Sequence, residues 1–128
     1  MNYMQSNIQT SKLTQGSIIW ASYPLTDRAD KFKRRTVLVI SNNESNQLDG
    51  DYIIIPITKT IRDEPFSLVI QPEDVLQGEL PVASQLRCNK PFTVRDVLMY
   101  DLIGLLHQEK VSRAIQLLAD SVRVGNFE

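Results

Sequence analysis

Val37-Leu38-Val39-Ile40 are four consecutive aliphatic residues, entered from Lys33-Arg34-Arg35-Thr36 and left through Ser41-Asn42-Asn43. A short β-branched run between polar flanks predicts a buried strand. The three cations then stand at the mouth of that strand. A guanidinium held at the end of a rigid, buried element is a pre-aimed donor for phosphate or carboxylate. The same residues also describe an ordinary core strand preceded by a solvated charged loop. The run alone leaves both readings open.

The chain has 128 residues, which suits one domain with a real hydrophobic core. Its formal net charge is −1, so it carries no global basic signature and any anion site must be local. Cys88 is the only cysteine, which excludes an intrachain disulfide and a thiolate zinc cluster and fits a reducing cytoplasm. The apolar runs are too short to span a membrane. Residues 1–15 are rich in Asn, Gln, Ser and Thr, show no period and lack the order of a secretory signal. They read as a flexible tail, and the domain is expected over residues 16–128.

Ser17-Ile18-Ile19-Trp20-Ala21-Ser22-Tyr23 is the first predicted strand, with Ile18 and Trp20 on one face and Ile19, Ala21 and Tyr23 on the other. Pro24 is expected to break it. Leu25 to Arg34 reads as a polar loop, so that the hairpin carries a long, flexible, positive tip. Ser41 to Gly50 reads as a loop, with a helical turn as the alternative, closed by Asp49-Gly50. Tyr52-Ile53-Ile54-Ile55-Pro56-Ile57 is a second apolar strand. Pro56 has no amide to donate, so that end should lie at an edge or a bulge. Thr58-Lys59-Thr60 places hydroxyls and an ammonium at the strand end, where they suit either a phosphate or a turn. Phe66 to Ile70 and Pro81 to Cys88 supply further strands. Val97 to Leu106 fits helix or strand by periodicity, but Gly104 argues against an uninterrupted helix. Val111, Ala114, Ile115, Leu118, Ala119 and Val122 form a helical apolar stripe ended by Gly125. His107 precedes it, where Ser or Asp would cap better. Several short strands and a terminal amphipathic helix make an α+β domain, a small barrel-like sheet.

The order of these motifs resembles the PemK/MazF toxins. Gly16-Ser17-Ile18-Ile19-Trp20, then Arg35 with its aliphatic run and Ser41-Asn42, is similar to that family's opening. Pro56-Ile57-Thr58 looks like the end of its next strand, and Ser84-Gln85-Leu86-Arg87 resembles its Asp-Gln-x-Arg segment. Ile103-Gly104-Leu105-Leu106 before a terminal helix is similar to its close. The resemblance spans roughly Gly16 to Val122. It implies an SH3-like barrel with a C-terminal amphipathic helix and a homodimer. It also implies a metal-independent, cofactor-free endoribonuclease toxin that cuts single-stranded RNA in the cytoplasm. A cognate antitoxin would then occupy the RNA groove. Arg35 and Thr58 match the family's catalytic arginine and threonine. The expected RNA-binding set is Lys31, Lys33, Arg34, Lys59, Ser84, Gln85 and Arg87, with Tyr23, Phe32 and Phe66 as stacking or core residues.

The chain departs from the family pattern at Ser17, Thr36, Val82 and Ser84. Some members carry an arginine at the position of Val82 and a catalytic aspartate at that of Ser84, so that version of the acid–base pair is missing. The departures keep two alternatives open: a catalytically inactive binding module, and a gyrase-poisoning toxin of the same fold. The second needs a Trp-Gly-Ile ending, whereas this chain ends Val124-Gly125-Asn126-Phe127-Glu128.

Overall fold

The computed structural model describes residues 13–25 and 28–125. Among these residues the strands are β1 (Ser17–Leu25), β2 (Arg28–Val39), β3 (Asp51–Thr58), β4 (Ser67–Ile70), β5 (Val75–Gly78), β6 (Ser84–Arg87), β7 (Phe92–Arg95) and β8 (Met99–Leu106). The helices are α1 (Asn43–Asp49) and α2 (Gln108–Ser121). The strands pair antiparallel in the order β4-β6-β3-β2-β1-β8-β5, and β7 pairs with β3 beside β6. This is the expected α+β, SH3-like arrangement, a sheet wrapped on a core, with β4 and β5 as its two unjoined ends.

The aliphatic runs are continuous because the central strands are buried on both faces. Ile18, Leu38, Ile40, Ile55 and Ile57 face one cluster, which Leu86, Leu106 and the α2 residues Val111 and Ala114 complete. Their neighbours Ile19, Ala21, Val37, Val39 and Ile54 face a second cluster with Leu13, Tyr52, Val94 and Met99. Each fully buried aliphatic side chain contributes roughly 1.5–3 kcal/mol. Residues 1–12 of the expected tail lie outside the described residues. Leu13 is buried, and the Gln15 side-chain amide donates to the Ile40 carbonyl at 2.7 Å.

The expected polar loop from Leu25 to Arg34 is corrected. β1 runs to Leu25 and β2 begins at Arg28, with Tyr23 opposite Lys33 and Ser22 opposite Arg34. Pro24 does not end β1 but pairs with Phe32, and the register shifts just after it. Lys31, Phe32, Lys33 and Arg34 are all exposed, so no hydrophobic alternation marks this part of β2. Ser41 to Gly50 contains α1. The Asn42 side chain accepts from Ser45 N at 2.9 Å, and Gly50 ends the helix at φ 72°. The ambiguous stretch before α2 is strand β8 from Met99 onward, preceded by a 3-10 turn over Asp96–Leu98.

Pro56 sits in a central strand, yet its missing amide costs nothing. Ile53 O accepts from Ile40 N, so Ile53, Ile55 and Ile57 direct their backbone groups toward β2. Pro56 faces the other side, where β7 ends opposite Ile54 and β6 begins opposite Ile57. The proline marks the gap between two partner strands.

Candidate functional site

That gap opens into a groove of about 970 Å³. Arg35, Thr58, Gln85 and Arg87 all line it, brought from β2, β3 and β6. Arg35 alternates with Val37 and Val39, so core packing below fixes the face on which it stands. Tyr23 stands on the same face of β1. Its ring meets Phe92 edge-on at 4.5 Å between centroids. Burial pushes the Tyr23 phenol above its ordinary pKa, and the Arg35 charge opposes that shift.

Thr58 is half-buried, and its Oγ1 accepts from Thr60 N at 3.1 Å. Gln85 lies opposite Thr58 in the sheet and is buried. Its Oε1 accepts from Arg62 N at 2.7 Å, which ties the segment after β3 to β6. Glu64 lies between two guanidinium groups, with oxygens 3.9 Å from Arg62 Nη1 and 3.9 Å from Arg87 Nη2. Lys90 and Arg95 also line the groove, and Arg95 Nε is 4.0 Å from Asp51 Oδ1. The described lining therefore sets Arg35, Arg62, Arg87, Lys90 and Arg95 against one carboxylate, Glu64. A chain of net charge −1 thus concentrates positive potential in one cleft, the arrangement that attracts a polyanion. Among the described residues, no three His, Cys, Asp or Glu gather as a metal site.

The other expected residues lie elsewhere. Lys31 and Lys33 are exposed on β2, and Lys59 is exposed just after β3; none of the three lines the groove. Arg34 points to the opposite face from Arg35. Its guanidinium lies 5.1 Å from the Trp20 ring centroid and 5.3 Å from that of Tyr100, and Nε donates to Tyr100 Oη at 2.6 Å. Ser84 is buried, with its hydroxyl donating to Val82 O at 3.1 Å. Phe32 is exposed.

Arg62, Glu64, Lys90 and Arg95 were not singled out by the sequence. Arg62 and Glu64 lie in an extended connection without periodicity. Arg95 had a signal, because Phe92-Thr93-Val94-Arg95 alternates apolar and polar as a half-buried strand does.

Comparison with known proteins agrees with this fold. The family model described as the PemK-like, MazF-like toxin of type II toxin–antitoxin systems matches residues 14–122. Comparison with curated protein sequences gave no match. Among solved structures, the chain is similar to an endoribonuclease from a Mycobacterial species in complex with its cognate antitoxin. That likeness has a TM-score of 0.69 at 17% identity and covers 90% of this chain and 99% of the other. A MazE–MazF structure from Deinococcus radiodurans matches with TM-score 0.70 at 14% identity, over 88% of this chain and 98% of that one. Mycobacterium tuberculosis toxin MazF-mt6 matches with TM-score 0.62 at 18% identity, over 84% and 99%. At such identities the structural likenesses establish the fold, and the family model, spanning most of the chain, establishes the lineage. This chain belongs to the PemK-like, MazF-like toxins of type II toxin–antitoxin systems.

Proposed function

We propose that the chain is an endoribonuclease that cuts single-stranded RNA without a metal, in the cytoplasm, as a homodimer held in check by a cognate antitoxin. The observation that carries this reading is the meeting of Arg35, Thr58, Gln85 and Arg87 in one cationic groove. Family membership supports it, and so do the structural neighbours named as an endoribonuclease with its antitoxin and as MazE–MazF.

Metal-free cleavage uses the RNA 2′-hydroxyl as nucleophile on the adjacent phosphorus. Negative charge grows on the non-bridging oxygens as the phosphorane forms. Arg35, projecting into the groove from a strand locked between two core clusters, offers its guanidinium to those oxygens. A donor placed this way is worth roughly 3–4 kcal/mol in the transition state. Thr58 orients the 2′-hydroxyl or a phosphate oxygen. Arg62, Arg87, Lys90 and Arg95 hold flanking phosphates, and Gln85 orders the wall on which Arg62 stands. Lys31, Lys33 and Lys59 contact phosphates beyond the groove. Arg34 and Ser84 are committed to Tyr100 and to Val82, so their part in RNA binding is the smallest of the set.

The test is incubation with mixed single-stranded RNA in EDTA, beside Arg35→Ala, with product ends mapped. Cutting that falls 10²–10³-fold in the variant supports the reading. Cutting that survives the variant removes Arg35 from the chemistry. Absence of cutting by folded, antitoxin-free protein leaves a binding module with the same groove.

A further inference from the structure

Attack by the 2′-hydroxyl needs a group that removes its proton. Neither Arg35 nor Thr58 is a base at neutral pH. Three other titratable groups, Tyr23, Cys88 and His107, are excluded by where they stand. Burial holds the Tyr23 phenol protonated. Cys88 is fully buried, and burial pushes its thiol up to about 11. His107 is spent at the start of α2, where Nδ1 accepts from Glu109 N at 3.2 Å. Glu64 is the one carboxylate among the described groove residues.

Its setting leaves the carboxylate accessible. The side chain is 31% exposed, open to the groove but not adrift in solvent. Its contacts with Arg62 and Arg87, both 3.9 Å, exceed hydrogen-bond length, so the arginines hold the carboxylate by charge and do not occupy its lone pairs. The backbone is fixed as well. Glu64 N donates to Arg62 O at 3.0 Å, and Pro65 follows directly. Phe66 then takes φ 61°, a left-handed position that a turn ordinarily gives to glycine. Its carbonyl accepts from Cys88 N at 3.1 Å, which anchors the turn to the end of β6. Strain of this kind persists where the surroundings over-determine it, and it gathers at functional sites.

We propose that Glu64 is the general base of this site, an inference that rests on the RNA-cutting reading above. Glu64 takes the proton of the 2′-hydroxyl while the 2′-oxygen bonds to phosphorus. The bond from phosphorus to the 5′-oxygen breaks, its electron pair stays on that oxygen, and a solvent water supplies the proton that completes the 5′-hydroxyl. The products are a 2′,3′-cyclic phosphate end and a 5′-hydroxyl end, and Glu64 returns its proton to solvent. Arg35 receives the oxygens of the reacting phosphate, and Arg62 and Arg87, on either side of the base, hold the flanking phosphates.

The experiment compares wild type, Glu64→Gln and Glu64→Ala in single-turnover cleavage in EDTA. Binding is measured separately on the same RNA with 2′-O-methyl groups, and folding by thermal melting. Expected are an unchanged melt, binding within threefold, and a Glu64→Gln rate constant lower by 10²–10⁴-fold. Added formate should restore part of the rate to Glu64→Ala in proportion to its concentration, which a purely structural carboxylate would not permit. Wild-type cutting with Glu64→Gln within threefold of it overturns the proposal and leaves the RNA-cutting reading intact. So does a defect confined to binding, which would make Glu64 a spacer for its two arginines. A wild type that cuts no RNA overturns both.

Discussion

Arg34 and Arg35 are neighbours in sequence and opposites in surroundings. Strand alternation puts Arg35 in the groove and lays Arg34 across Trp20 and Tyr100 on the other face. Arg34→Lys would lose the planar stack and the bond to Tyr100 Oη. It should lower stability by roughly 0.5–1 kcal/mol in a denaturant titration while leaving RNA cutting within threefold. Arg35→Lys keeps the charge but loses the fork, so it should cut at least tenfold more slowly with an unchanged melt. Cys88 offers a different test. Its thiol is buried among core residues and pushed up to about 11, so the folded state binds that proton more tightly than the unfolded chain does. The resulting stabilisation is complete below the ordinary thiol value of 9.0 and is lost as pH rises from there through about 11. Iodoacetamide at pH 8 should therefore label Cys88 only as fast as the protein unfolds, and labelling of native protein at the rate of a free thiol would contradict its burial.

At the scale of the elements, side-chain periodicity was legible wherever burial created it. The β1, β2 and β3 aliphatic runs and the α2 stripe were read directly. The outer part of the β1–β2 hairpin was not, because residues 31–34 of β2 are all exposed and burial creates no alternation there. The identity of β8 turned on Gly104, and the structure supplies the reason. A Cβ at Gly104 would come within 2.3 Å of Gln77 O and 2.7 Å of Val75 Cγ1, so β5 could not pair at its present distance. Gly104→Ala should cost about 1–3 kcal/mol, with the β5 amides losing hydrogen-exchange protection first. His107 occupies the cap position, where Ser or Asp would serve better, and caps α2 through a 3.2 Å bond from Glu109 N to its Nδ1. His107→Ser should raise stability by roughly 0.5–1 kcal/mol, seen as a higher urea midpoint at constant slope.

For the molecule as a whole, composition was a poor guide to the binding surface. A net charge of −1 gives no hint that Arg35, Arg62, Arg87, Lys90 and Arg95 converge on one side. Arg35, Thr58, Gln85 and Arg87 were legible only because motif order pointed to them. Arg62, Lys90 and Arg95 come together around the gap that β6 and β7 leave between them along β3, a tertiary event that no local window records. The convergence has a measurable consequence. Each phosphate neutralised on a single strand contributes about −0.7 to the slope of log affinity against log salt. Full engagement of the groove would bring that slope to about −3.5, steep for a chain that is acidic overall. Replacing Lys90 and Arg95 together by alanine should make it shallower by about 1.4, on an uncleavable RNA so that binding alone is read. The pair Lys31→Ala and Lys33→Ala should flatten it as well, because the strand leaving the groove passes along the β1–β2 hairpin. If the hairpin pair flattens the slope and the groove pair does not, RNA runs along the outer ribbon, and the catalytic roles given to the groove residues fall with that result.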